Sequence, residues 1–176
     1  VGFVGLAHAA VRPVKRVFIH SRTLAKAEEL AAELAQHGFE VHSVTDLEHA
    51  VRQSDIVSCV TTSTQPIVKG QWLKPGAHVD LAGAFKPTMR ETDAQVVARS
   101  SVYVDTREGA LAEAGDLLQA REEGKCDFAN ILGDLFDLCR GKAQGRATPE
   151  EITLFKSAGT AIEDLATAIM LYQKAQ

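Results

Sequence analysis

The stretch VFIHSRTLAKAEELAAELAQHG, residues 17–38, carries two hydrophobic periods in succession. Val17-Phe18-Ile19 is a short continuous apolar run, the mark of a strand buried on both faces. Across residues 23–37, Leu24, Ala27, Leu30, Ala31, Leu34 and Ala35 fall on one helical stripe, and Gly38 stops it. The unit then recurs. Residues 39–43 alternate as a strand. Thr45-Asp46-Leu47-Glu48 has capping-box form, with Thr45 as N-cap, and opens a short helix ending near Gln53. Residues 55–60, 77–82 and 101–105 read as further strands, each with several consecutive apolar residues. Strands alternating with helices predict an α/β fold: a Rossmann-type, doubly wound parallel sheet with helices on both faces.

Beyond Asp105 the pattern turns helical, over residues 108–114, 115–123 and 130–140. A polar break follows at 141–145. Thr148-Pro149-Glu150-Glu151 has capping-box form again, with Pro at the first helical position. The last predicted helix runs from about Thr160 to Lys174, with Ile162, Leu165, Ala166, Ile169 and Tyr172 as its stripe.

The opening residues fit less well. Val1-Gly2-Phe3-Val4-Gly5 reads as the first strand of a dinucleotide fold, or else as the extended terminus of some other fold. The next strand begins near Val14, and a parallel crossover needs about a dozen residues. The Gly-rich phosphate loop expected after a first strand is absent. Residues are therefore expected to be missing between Gly5 and Leu6, and upstream of Val1.

The 176 residues suit one ordinary domain, 45% hydrophobic and 24% charged. A net charge of −4 argues against a nucleic-acid or anionic-membrane surface, since both want a basic face. No apolar run reaches the roughly 18 residues of a membrane span, and the first residues lack the pattern of a signal peptide. Cys59, Cys126 and Cys139 are odd in number and far apart, which reads as reduced, cytoplasmic thiols. His8, His20, His37, His42, His49 and His78 have no metal-ligand spacing.

Several segments resemble the ornithine cyclodeaminase/μ-crystallin family. They are VFIHSRT (17–23), SDIVSCVTTSTQPIV (54–68), VDLAGAFKPTMRE (79–91), EAGDL (113–117) and FKSAGTAIEDL (155–165). They occur in the family's order and cover nearly the whole chain. The resemblance implies a nucleotide-binding domain over residues 1–157 and a C-terminal helix over 158–176. That helix would return towards a substrate and dimerisation domain that this sequence does not represent. It also implies a homodimer and a small imino- or amino-acid substrate.

In a Rossmann fold the end of the second strand reads the adenosine ribose, and an acidic residue there favours NAD. Here stand Ser21, Arg22 and Thr23, a forked cation between two hydroxyls, which suits a 2′-phosphate. This favours NADP(H) over NAD(H) and resembles family members that carry Asn-Arg-Thr at this place. Alternatively Ser21 or Thr23 caps the helix and Arg22 is solvated. Val60, Thr61, Thr62 and Ser63 end another strand, where open α/β sheets bind ligands, or else they form an ordinary turn. Ala82, Gly83 and Ala84 end the next, with Gly83 either packing on the nicotinamide side or marking a turn.

The cyclodeaminases carry a catalytic aspartate just after this Gly-small pair. Here that residue is Phe85, and the neighbouring Lys86 cannot replace a carboxylate. Phe85-Lys86-Pro87 with Arg90-Glu91 looks more like the ketimine and pyrroline-2-carboxylate reductase branch. Glu113 matches a family glutamate near the substrate, the one catalytic candidate, or it is a surface carboxylate. Asp116 reads as a possible helix cap. Ser157, Gly159 and Thr160 open the last helix, where the family places the nicotinamide, with Thr160 equally suited to N-cap. Lys156 lies either in the site or on the surface.

The leading expectation is an NADPH-dependent reductase of small cyclic imino acids. A protonated imine is already electrophilic and needs less acid/base machinery. The alternatives are an ornithine cyclodeaminase or hydroxyproline dehydratase-type lyase, and a non-catalytic NADPH- or ligand-binding protein.

Overall fold

The computed structural model describes residues 2–176 and divides into two compact units, Val1–Ser54 and Asp55–Gln176. The first holds α1 (Gly2–Val11), β1 (Arg16–Ile19), α2 (Leu24–Ala35), β2 (Glu40–Ser43) and α3 (Leu47–Gln53). β1 and β2 run parallel, with Arg16 opposite Glu40 and Ile19 opposite Ser43. Ile19, Ala27 and Leu34 form the core, and Leu6, Val17, Leu30, Ala31 and Val41 pack against it. Gly38 holds φ +86°, the left-handed conformation that ends α2 without a Cβ clash.

Two expectations fail in this unit. Val1 lies outside the described residues. Gly2 to Gly5 are not a strand but the first turn of α1. The reason is local: Leu6, Ala7, Ala9 and Ala10 are strong helix formers, and Leu6 reaches the core from a helical position. The cap of α3 is Asp46, not Thr45, its carboxylate accepting the His49 N–H at 3.0 Å. Asp and Thr both cap well, and neighbouring candidates are hard to separate from sequence.

The second unit carries β3 (Ile56–Cys59), a 3-10 turn (Gly70–Trp72), β4 (His78–Leu81), α4 (Ala94–Ala98), β5 (Ser101–Val104), α5 (Arg107–Glu113) and α6 (Gly115–Glu122). β6 (Ile131–Asp134), α7 (Leu135–Cys139), β7 (Thr153–Lys156) and α8 (Ala161–Lys174) follow. Its five strands are all parallel, in the order β3-β4-β7-β5-β6. The central strand, β7, is thus the last in sequence. Val79, Leu81, Val102, Val104 and Leu154 are fully buried, as a parallel sheet covered on both faces requires.

Here too the sequence misleads at particular places. Residues 130–140 are not one helix but β6 followed directly by α7, whose cap is Asp134, accepting from Asp137 N at 2.9 Å. Thr148–Glu151 opens no helix. Glu151 folds back to accept from the Ala147 and Thr148 N–H groups, which makes a turn leading into β7. The capping-box chemistry is present, but the residues after it belong to the sheet. Asp116 is no cap either. It is buried within α6, and its contacts are given below.

α8 is capped by Thr160, as expected, but Ile162, Leu165, Ile169, Met170 and Tyr172 on it are exposed. Among the described residues no helix is long and apolar enough to cross a membrane, and no cluster of His, Cys, Asp or Glu could hold a metal ion. All three cysteines are free thiols.

Candidate functional site

The residues singled out by the sequence fall at strand carboxyl ends, except Glu113. In the first unit, Ser21, Arg22 and Thr23 follow β1. Arg22 and Thr23 are exposed and Ser21 is half-buried. The Ser21 hydroxyl accepts from Thr23 N at 3.4 Å, and Thr23 holds the N-cap position of α2 without a side-chain capping bond. So the Thr23 hydroxyl is not spent on the helix, and no carboxylate stands among these three residues.

In the second unit, the turns after β3, β4 and β7 are tied to one another. After β3, Val60 and Thr62 are exposed while Thr61 and Ser63 are half-buried. Thr61 N donates to the Glu91 carboxylate at 2.5 Å, Thr61 Oγ1 accepts from Ser63 N at 3.2 Å, and Arg90 N donates to Ser63 O at 2.7 Å. After β4, Ala82 N donates to Cys59 O at 2.9 Å. Gly83 is required as glycine, since a Cβ there would collide with Thr61 O and with the Glu91 carboxylate. Ala84 is fully buried at φ +50°. That left-handed conformation costs a residue with a Cβ about 1–2 kcal/mol, so the surroundings must impose it.

After β7, Ser157 N donates to Leu81 O at 3.0 Å. The turn 157–159 closes on Asp105, fully buried just after β5. One of its oxygens accepts from Ser157 Oγ at 3.1 Å and from Ala158 N and Gly159 N at 2.7 Å each. Gly159 is exposed at φ +90°, with open space where a Cβ would point. Thr160 Oγ1 caps α8 by accepting from Ile162 N.

Glu113 stands exposed at the end of α5, two residues before Gly115, whose N–H donates to Ala84 O at 3.1 Å. Phe85 and Lys86, which follow Ala84, are exposed. The position after the glycine turn therefore offers solvent an aromatic ring and an ammonium, and no carboxylate.

The sequence assigned Glu91 and Asp105 no part in these turns and left Lys156 open between site and surface. Lys156, at the end of the central strand, has 0% exposure. Its ammonium donates to Gly83 O and, at 3.4 Å, to Leu81 O, and lies 4.0 Å from the Asp116 carboxylate. Burial pushes its pKa down, against the opposing pull of Asp116 and Glu91. Burial pushes the Glu91 carboxyl up, while the bond from Thr61 pulls it down. Cys59 is buried beside them, and its thiol is held well above the usual range by desolvation first and by the two carboxylates second. A charged residue closing an apolar strand (Thr153-Leu154-Phe155-Lys156) was the one available signal for Lys156.

A parallel sheet whose strand ends carry small and hydroxylated residues around glycine turns defines a Rossmann-like α/β protein. The comparisons with known proteins are narrower. The model of the ornithine cyclodeaminase/mu-crystallin family matches residues 2–176, and the chain belongs to that family. It is 42% identical over 163 residues to the Delta(1)-pyrroline-2-carboxylate reductase of Paracoccus denitrificans, which covers 92% of this chain and 52% of that protein. It is 35% identical over 158 residues to the ketimine reductase mu-crystallin of Mus musculus, with 90% and 47% covered. Among solved structures it resembles the Thermococcus litoralis Delta(1)-pyrroline-2-carboxylate reductase in complex with NADH and L-proline. The TM-score is 0.95 at 35% identity, over 99% of this chain and 54% of that one. The chain spans about half the length of these relatives.

Proposed function

We propose that this chain is the nicotinamide-binding part of an NADPH-dependent reductase acting on small cyclic imino acids of the pyrroline-2-carboxylate type. The observation that carries the reading is the turn after β4. It ends in Phe85 and Lys86 where a cyclodeaminase needs a carboxylate. Reduction of a protonated C=N bond does not require one at that place. The names of the two similar reductases, and of the solved reductase holding NADH and L-proline, support the same reaction.

The residues at the strand ends of the second unit fit the nicotinamide half of a dinucleotide; the Gly-rich loop that would hold the pyrophosphate is absent from the sequence. Open, small-residue backbone at Thr62 and Gly159 allows close approach at strand ends. Val60 to Ser63, Ala82 to Ala84, and Ser157, Gly159 and Thr160 would line it. The exposed Arg22 fork, flanked by Ser21 and Thr23, would take a 2′-phosphate, which is the basis for preferring NADP(H). When bound, the cofactor supplies hydride. The protein's own part is to position and to exclude water. Glu113 is the group proposed to hold or protonate the imine nitrogen. A homodimer and a cytoplasmic setting are proposed on the family resemblance and the free thiols.

The test is the complete polypeptide with pyrroline-2-carboxylate, following loss of the reduced-nicotinamide absorbance, with ornithine and ammonia detection in parallel. Consumption of NADPH with formation of proline is expected. Release of ammonia from ornithine without net NADPH loss would replace this reading with a lyase. Tight NADPH binding with no turnover of any cyclic imine would replace it with a binding protein.

A further inference from the structure

Three fully buried ionisable side chains, Lys156, Asp116 and Glu91, surround the base of the β4 turn. None of them is exposed. Each makes a bond to the backbone of a turn. Lys156 donates to the carbonyl of Gly83. One Asp116 oxygen accepts from Glu91 N at 2.9 Å, Thr92 N at 2.8 Å and Thr92 Oγ1 at 3.0 Å. Glu91, so fixed, accepts from Thr61 N on the β3 turn.

Between the ends of this segment, α6 grips the loop along one face. Gly115 packs where a Cβ would strike the carbonyls of Lys86 and Met89. Gln119 donates to Pro87 O at 2.8 Å and to Met89 O at 3.0 Å. Glu123 pairs with Arg90. Asp116, Gln119 and Glu123 are spaced at helical intervals of three and four, so the grip is a property of one helix face. The segment it holds contains the strained Ala84.

Burying three ionisable groups is expensive. Glu91 Oε2 and Asp116 Oδ2 have no hydrogen-bond partner among the described residues. A merely structural core would be at least as stable with apolar residues of the same shape. The arrangement makes sense as a way to aim backbone. We propose that Glu91 is a positioning residue for cofactor binding. With Asp116 and Lys156 it locks the β3 turn (Thr61 to Ser63) to the β4 turn (Ala82 to Phe85), so that both present one preorganised surface to the nicotinamide dinucleotide. This rests on the cofactor reading given above.

The experiment is fluorescence titration of the complete polypeptide with NADH and NADPH, with a thermal melt of each variant. Glu91→Ala removes the acceptor for Thr61 N, and Glu91→Asp keeps the charge but falls one methylene short. Each is expected to weaken dinucleotide binding about tenfold, because a preorganised contact is lost. Glu91→Gln keeps an acceptor at the same reach and restores binding to within about threefold of wild type. If Glu91→Ala does not melt cooperatively, the contrast of Glu91→Asp with Glu91→Gln decides. Wild-type affinity in the folded Asp variant overturns the inference, and so does equal loss in Asp and Gln. Absence of binding by the wild-type protein overturns the cofactor reading itself, and the inference with it.

Discussion

The turn after β1 and the turn after β4 both lie at the carboxyl ends of parallel strands, yet they are built in opposite ways. At Ser21-Arg22-Thr23 the side chains stand in or near solvent, and the one local side-chain bond is a long 3.4 Å contact. Across residues 82–92 the backbone is held by Lys156, Asp116 and Gln119, Glu91 ties the segment to Thr61 N, and Arg90 pairs with Glu123. The first turn can exchange side chains without disturbing anything behind it, which suits a choice between cofactors. The second cannot move without breaking buried charge contacts, which suits a position where geometry decides the reaction.

The contrast is broken most severely at Gly115. A methyl group there meets two backbone carbonyls that cannot rotate away. Gly115→Ala is expected to destabilise the fold by about 3 kcal/mol, measured by denaturant unfolding. A cost under about 1 kcal/mol would mean that the 86–89 loop is free to lift.

Arg22→Ala should do the reverse. Stability is expected to stay within about 0.5 kcal/mol, as for other solvent-facing changes. NADPH affinity should fall about tenfold with NADH affinity unchanged, read by titration with each. Equal losses for both cofactors would remove the 2′-phosphate role.

The smallest effect concerns the outer end of the clamp. Arg90 donates to Glu123 and holds its carboxyl below the usual range, with desolvation opposing. A depressed folded-state pKa contributes stability above the unfolded value of about 4.3 and loses it as pH falls through the folded value. Glu123 is nearly half exposed, so the contribution is only a few tenths of a kcal/mol after screening. The melting difference between wild type and Glu123→Gln should be constant above about pH 5 and shrink progressively as pH falls below about 4.3. A difference that persists at low pH would assign it to packing.

Much of this was legible because strong periods leave little choice. β1 with α2, the apolar runs of β3, β4 and β5, and the capped α8 were all visible as patterns in the chain. β6 was not, because Ile131-Leu132-Gly133-Asp134 runs straight into Leu135-Phe136 and the apolar spacing mimics a helix. Gly133 is small because a Cβ there would collide with the Cβ of Ala143, and no local pattern reveals that. β7 was hidden by its lysine. A charged residue ordinarily signals surface, and only the tertiary fold supplies the carbonyls and carboxylates that let it be buried.

The turns at the strand ends were readable as motifs, since small residues there are themselves the signal. The groups behind them were not, because Glu91, Asp116 and Asp105 look in sequence like any solvated acid.

The placement of β7 also has a consequence for how the chain acquires its structure. Until residues 153–156 are available, β3-β4 and β5-β6 are two separate pairs, and β4 and β5 each present an unpaired edge. The sheet closes only when the last strand enters between them, carrying Lys156 into its buried place. Assembly of this unit therefore waits on contacts far apart in the chain, which slows folding and leaves sticky edges open meanwhile. A ribosome-bound chain stalled before Thr153 would hold two half-sheets in search of a partner, a natural client for a chaperone.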